Sequence, residues 1–440
     1  MGTGISELSL NQAKNLSWRD TLYTLLIALY LSVPAINAIG VKIIPALSGL
    51  FMTSLYVSIG LAILVYSVLA FIARPKVDVR IFVFYCLIIF AYIFTYIGNA
   101  RSDLHFNKFI TLTVIAMLCP YVKRIKYRQF VIYLMVLPFF GIFFLNQVFS
   151  IKGVLNETIT MGISYAFLPT VIASIVYLFF YFKDSNRKFI SLVFIAINAV
   201  YLFKIFQFGS RGPVLCIVTC FAILICFKYK DNKINMVSRK IVILMILLIL
   251  VIANFWTVLG WVNSLLLALG IKINAISKLY RLQSFTNDIS NGRLLIWSTV
   301  WKEIWKSPIY GHGLSTTFYN LKFAYPHNFI LQLLYDGGLL LFIPLIFFFI
   351  SGFVNWFRNC SRDCFAFGIV LFSMSIPGAM FSGDLWENGR LWLALSFFIY
   401  CGIRGYLPEL NDRFKSAVAT VKKNRHKTDL DFFASDNDDN

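Results

Sequence analysis

Hydrophobic positions along the chain form long unbroken blocks, not short alternating or one-faced patterns. A block of about 20 mostly apolar residues has the length of a helix crossing the hydrocarbon core of a bilayer. Blocks that reach or approach it lie at 21–40, 47–73, 81–99, 107–122, 130–149, 161–182, 189–208, 212–228, 241–260, 337–357, 364–382 and 387–404. They predict an all-α polytopic membrane protein with about twelve transmembrane helices. The blocks at 107–122 and 212–228 are short, which leaves eleven open. Pro34, Pro138, Pro169, Pro344 and Pro377 fall inside blocks, where kinks are expected because neighbouring helices can satisfy the freed carbonyls. The first block is not expected to be a cleaved leader, since a long stretch of mixed charge precedes it and many blocks follow.

Residues 261–336 break the pattern. They hold no clean block, yet Leu295, Ile296, Trp297, Val300, Trp301, Ile304 and Trp305 recur at helical spacing within 292–307. A Trp-rich amphipathic helix of this kind lies in a membrane interface, and a connection this long is usually functional. The chain therefore divides into an N-terminus (1–20), nine helices (21–260), one large loop (261–336), three helices (337–404) and a tail (405–440). The tail runs basic and then acidic and reads as disordered.

Composition strengthens the membrane reading. Apolar residues make up 59% and charged residues 14%, against about 45–50% and about 25% in soluble domains. The net charge of +20 would point to nucleic acid in a soluble chain. No basic stripe is interleaved with exposed aromatics here, so no nucleic-acid partner is expected. The cations instead report sidedness. With the N-terminus in the cytoplasm, the loops on that side carry Arg74, Lys76 and Arg80; Lys123, Arg124, Lys126 and Arg128; Lys183, Arg187 and Lys188; Lys228 to Lys240; and Arg358 with Arg362. The opposite short loops hold only Lys42, Arg101, Lys108, Lys152 and Arg211. This bias places the 261–336 loop outside the cytoplasm and the tail inside. Most cysteines lie in or beside apolar blocks and read as small hydrophobes, while Cys360 and Cys364 lack the further ligands of a zinc site.

The chemistry-bearing candidates collect on the outer face. Phe208 to Pro213 form a tight turn that holds Arg211 at the bilayer surface, with Ser210 before it. Gly292-Arg293 opens the amphipathic helix; a cation at a helix N-terminus opposes the macrodipole unless an anion sits there too. Lys278 and Arg281 precede it. Tyr325-Pro326-His327-Asn328 stands at the mouth of the next block, where a neutral imidazole can serve as general base. Asp336 and Gly337-Gly338 follow, implying a turn and close helix packing. Guanidinium forks bind phosphate oxygens in bidentate fashion. A diphosphate leaving group needs such neutralisation as charge builds on it, so no metal is demanded. Asp384 and Glu387 are far in sequence from the arginines and form no metal motif with them.

At these residues the chain resembles the O-antigen ligase and O-antigen polymerase superfamily of bacterial envelope glycan enzymes. Arg211 to Leu215 is similar to that family's R-x3-L turn. Gly292, Arg293 and Trp297 resemble its G-R-x3-W, Pro308 to Gly313 its P-x-x-G-x-G, and His327-Asn328 with Gly338 its H-N-x9-G pattern. The resemblance implies metal-independent, inverting glycosyl transfer without a cofactor at the periplasmic face of the bacterial inner membrane, with 261–336 as a periplasmic catalytic loop. The implied donor is a glycan on undecaprenyl pyrophosphate. Arg211 and Arg293, with Arg281, would hold the pyrophosphate. His327 would activate the acceptor hydroxyl, and Ser210, Asn328 and Gly338 would support them.

A ligase would transfer to the lipid A-core, whereas a polymerase would join the glycan to a second lipid-linked repeat unit and could work with a chain-length regulator. R-x3-L and H-N-x9-G favour the ligase, while Arg281 and Gly292 also fit an R-x10-G spacing described for polymerases. A transporter of lipid-linked glycan is the non-enzymatic alternative. It would place charge in the middle of the membrane, and here the charge sits on one face.

Overall fold

The computed structural model describes residues 4–43, 55, 57–65, 79–98, 109–118, 125–144, 157–208, 211–230, 233–236, 255–270, 292–321 and 325–401. Among the described residues the regular elements are helices and one short hairpin. Helices α1 (Gly4–Ile43), α2 (Val79–Gly98) and α3 (Tyr127–Val136) are followed by α4 (Glu157–Phe180), α5 (Lys188–Phe208) and α6 (Arg211–Cys226). α6 runs directly into β1 (Phe227–Lys230), which pairs antiparallel with β2 (Lys233–Met236). Then come α7 (Phe255–Ala268), α8 (Arg293–Ile304), α9 (Phe329–Asn359), α10 (Arg362–Ala379) and α11 (Gly389–Cys401). The hairpin is a local feature of an architecture that is otherwise helical, as the all-α expectation has it. Phe227-Lys-Tyr-Lys and Lys233-Ile-Asn-Met alternate apolar and polar positions, the period of a strand.

Among the described residues four helices are long and apolar enough to cross a membrane: Asp20–Gly40, Met161–Phe180, Lys188–Gln207 and Phe329–Arg358. Four shorter apolar helices, Tyr85–Thr95, Tyr127–Ile142, Gly212–Ile225 and Gly389–Cys401, accompany them. That is fewer than the twelve spans expected. Much of the blocks at 47–73 and 241–260, and the tail after 405, lie outside the described residues. The expected boundary at 336/337 falls inside α9, because Asn328 caps that helix well upstream of it.

The core forms where α1, α3, α4, α6 and α10 pack on one another. α10 is its centre, with Phe365 to Leu371 almost wholly buried. The abundance of Phe has a packing use here: Phe353, Trp356, Phe365, Phe372 and Phe398 stack and abut edge to face at 5.0–6.1 Å. Pro34, Pro169, Pro344 and Pro377 sit inside helices as expected. Pro138 does more than kink. α3 stops at Val136 and a 3₁₀ turn (Phe139–Ile142) follows, with the Pro138 carbonyl accepting a hydrogen bond from the Tyr201 hydroxyl at 2.9 Å.

Residues predicted to share the cytoplasmic side gather at one end of this bundle. Lys126 Nζ donates to Thr21 Oγ1 at 2.7 Å, Arg128 stacks over the Tyr181 ring at 5.3 Å, and Arg362 pairs with Asp184 at 2.9 Å. Arg362 also donates to the Phe180 carbonyl. On α4, Tyr165 lies fifteen residues before Phe180, roughly 22 Å along the helix. The residues described next surround that far end.

Candidate active site

Three short segments build the site, and each of their local conformations has a side-chain cause. Gly292 caps α8 with φ 79°, a left-handed conformation open to glycine at little cost. Arg293 and Trp297 then stand one turn apart on the same helix face. Ile296, Val300 and Ile304 pack on Leu331, Leu334 and Tyr335 of α9, while Leu294, Leu295, Trp301 and Trp305 are exposed. The Trp297 indole donates to the Pro326 carbonyl at 2.8 Å. That bond fixes the residue preceding His327 to the helix that carries Arg293.

On its other side His327 is held by Asn328. The Asn328 side chain caps α9, accepting from the backbone N–H of Ile330 at 3.0 Å and Leu331 at 3.2 Å. His327 itself has φ 57°, a left-handed conformation that costs a non-glycine residue about 1–2 kcal/mol. Anchors before and after it hold that strain in place, and strain of this kind clusters at functional sites. The ring lies 4.3 Å from that of Tyr325. Its Nδ1 is buried without a hydrogen-bond partner. Burial lowers the His327 pKa from its ordinary value, and the Arg293 charge lowers it further. The imidazole is therefore neutral at pH 7, the form a general base requires.

The third segment is an exchange of backbone hydrogen bonds. α9 bends at Gly338, whose φ and ψ are 59° and −164°. In an unbroken helix Leu339 and Leu340 would donate to the carbonyls of Tyr335 and Asp336. Here they donate to Pro308 and Ile309 at 2.8 and 3.0 Å, and the two released carbonyls accept from His312 and Gly313 at 2.8 and 3.0 Å. The 308–313 segment thus enters the broken helix much as a strand enters a sheet. A Cβ at Gly338 would collide with the Ile309 carbonyl, and one at Gly311 would come within 2.5 Å of the Asp336 carbonyl. The kink replaces the turn expected at Gly337-Gly338. It also gives Gly338 and Asn328 structural tasks, in the bend and the cap.

The buried polar groups of α9 tie this unit to the turn after α10. Asp336 is fully buried, accepting from Trp386 Nε1 at 2.5 Å and Thr317 Oγ1 at 3.2 Å. Gln332 donates to Asp384 at 2.9 Å and accepts from the Leu385 N–H at 2.8 Å. A cleft of about 390 Å³ opens beside this turn, between α1, α4 and α10. Leu31, Ala166 and Met374 are among its apolar walls, and Tyr165, Tyr325, Asp384, Glu387 and Arg390 among its polar ones. Burial raises the Tyr325 pKa, as do the Asp384 and Glu387 charges, so its phenol stays protonated. The Arg293 charge acts on His327, Tyr325 and Tyr165 alike.

The sequence-predicted residues fall out as follows. Arg293 and His327 are brought together beside the cleft. Arg211 is the first residue of α6, and the next residue, Gly212, packs against the Tyr165 ring and hydroxyl. The side chain of Arg211 and all of Ser210, Lys278 and Arg281 lie outside the described residues. Sequence reasoning missed Tyr165, Asp384, Glu387 and Arg390, which no local motif marks. It set the two carboxylates aside for their distance in sequence from the arginines, and the fold removes that distance.

Residues 199–346 match the family model described as O-antigen ligase. This segment is similar to O-antigen ligases. No curated protein matches the chain. The superfamily's matched segment runs from within α5 into α9, and it contains Arg211, Arg293, His327 and Gly338. Together with the long apolar helices, this match indicates a membrane protein.

Proposed function

We propose that this protein is an O-antigen ligase-type glycosyltransferase of the bacterial inner membrane. It moves a glycan from undecaprenyl pyrophosphate to a hydroxyl of the lipid A-core at the periplasmic face. The observation that carries this reading is a neutral, strained His327 with a free Nδ1, held on the helix that bears Arg293 by the Trp297–Pro326 bond.

The acceptor oxygen attacks the anomeric carbon as its proton passes to the His327 imidazole. The bond from that carbon to the pyrophosphate oxygen breaks, and both bonding electrons leave with the pyrophosphate. Arg293 and Arg211, with Arg281, neutralise the departing charge. Attack opposite the leaving group inverts the anomeric carbon. Guanidinium groups do the work a divalent ion would otherwise do. Transfer is therefore expected to survive chelation. Leu294, Leu295, Trp301 and Trp305 on the outer side of α8 fit a helix seated in the lipid interface.

A repeat-unit polymerase would use the same groups with a different acceptor, and the Arg281–Gly292 spacing favours it. A gel of lipopolysaccharide from cells lacking the gene separates the two. Core without O-chain, with polymer left on its lipid carrier, identifies a ligase. Core bearing one repeat unit identifies a polymerase, and an unchanged ladder contradicts both.

A further inference from the structure

The cleft beside His327 has room for more than a phosphate group. At about 390 Å³ it falls within the range of small-molecule sites, about 300–1,000 Å³. Its charge is not that of an anion site, because Asp384 and Glu387 stand on its wall along with Arg390.

The polar wall comes from the turn between α10 and α11, and hydrogen bonds within the protein fix it. Asp384 accepts from the Gln332 amide at 2.9 Å and from the Trp386 backbone N–H at 2.7 Å. Asn388 caps α11 by accepting from the Leu391 N–H at 3.1 Å. Arg390 donates to the Tyr165 carbonyl at 2.6 Å. Glu387 is half-buried and lies between Asp384 and Asn388 in this fixed turn.

The field differs on the two sides of Tyr325. Arg293 is the charge that acts on His327, whereas Asp384 and Glu387 join it at Tyr325. The Tyr325 ring lies 4.3 Å from the His327 ring, and the Gly383 backbone hydrogen-bonds its hydroxyl. The Arg293 side therefore suits a phosphate, and the Glu387 side opposes one. Hydroxyl groups fit the Glu387 side, since an ionised carboxylate accepts hydrogen bonds and donates none. The rings of Tyr30, Tyr165 and Tyr325 also line the cleft. They offer broad apolar faces to the C–H face of a sugar ring.

We propose that this cleft is a carbohydrate subsite in which the Glu387 carboxylate accepts hydrogen bonds from sugar hydroxyls. This rests on the glycosyl transfer proposed above and adds to it a reason for one orientation of the substrates: pyrophosphate towards Arg293, sugar towards Glu387. The sugar belongs either to the donor glycan or to the acceptor, and both present the same hydroxyl chemistry.

The variant Glu387→Gln keeps the size of the side chain and removes its charge. The test reconstitutes the full chain in vesicles with undecaprenyl pyrophosphate-linked glycan and an acceptor, and measures KM for each with the other saturating. KM for one substrate is expected to rise about tenfold, with kcat and the unfolding temperature near wild type. A rise for the acceptor puts the acceptor sugar in the cleft, and a rise for the donor puts the donor glycan there. Wild-type KM values for both overturn the inference and leave glycosyl transfer standing. A lower donor KM also overturns it, since a pyrophosphate beside Glu387 gains when the charge is removed. No transfer by the wild-type chain, to lipid A-core or to a second lipid-linked glycan, overturns the glycosyl-transfer reading and this inference with it.

Discussion

The two halves of α9 share one helix and do opposite things. Before Gly338 the helix carries Asn328, Gln332 and Asp336, all buried and all hydrogen-bonded. After Gly338 the row Leu339, Leu340, Ile343, Phe347, Ile350 and Val354 is exposed, the surface of a rod in lipid. The first half reads as a scaffold for chemistry and the second as a membrane span. Gly338 separates them because only there do the helix carbonyls leave their own N–H groups and take those of the 308–313 segment. Precision thus depends on polar and backbone contacts in the first half, and on bulk hydrophobicity in the second.

Substitutions on either side of the bend should differ accordingly. His327→Ala is expected to lower transfer by about 10²–10⁴-fold while membrane insertion is unchanged, as read from lipopolysaccharide ladders and protein levels in complemented deletion cells. Gly338→Ala is expected to cost about 3 kcal/mol, because its Cβ meets the Ile309 carbonyl. A drop in unfolding temperature should accompany the loss of activity, which separates it from His327→Ala.

Arg293→Gln should leave a smaller and more diagnostic mark on the residual activity. Burial and the Arg293 charge both hold the His327 pKa below its ordinary value. The wild-type rate should therefore fall only as the pH drops through that lowered pKa, on the acid side of about 6.5. Removing the Arg293 charge raises the His327 pKa and moves the acid limb to higher pH. A limb that stays in place would detach Arg293 from His327. Leu340→Ala, on the lipid-facing half, is expected to change stability by less than about 1 kcal/mol and to leave the rate alone. A loss there equal to that of Gly338→Ala would dissolve the distinction between the halves.

How much of this was legible beforehand follows the same division. Apolar blocks mark the lipid-facing helices because bulk hydrophobicity is written residue by residue. The start of α8 was legible at Gly292, and the cation pattern led to the expectation that Arg293 and His327 share one face. The insertion of 308–313 into α9 was not legible. It is made of backbone groups, and its only side-chain trace is the glycines at 311 and 338. Tyr165, Asp384, Glu387 and Arg390 escaped for another reason. They lie on α4, on α11 and in the turn before it, and only the packing of α4 against α10 gathers them. The hairpin at 227–236 had a readable alternation, but its cations mark it equally well as a loop.

The central claim is that this fold makes a glycosidic bond from a pyrophosphate-linked donor. The most direct test reconstitutes the full chain in vesicles with undecaprenyl pyrophosphate-linked glycan and a lipid A-core acceptor, in the presence of EDTA. The account predicts acceptor-linked glycan and free undecaprenyl pyrophosphate in equal amounts, with no product from a monophosphate-linked donor. Movement of intact lipid-linked glycan across the vesicle without bond formation would contradict it and make the protein a transporter.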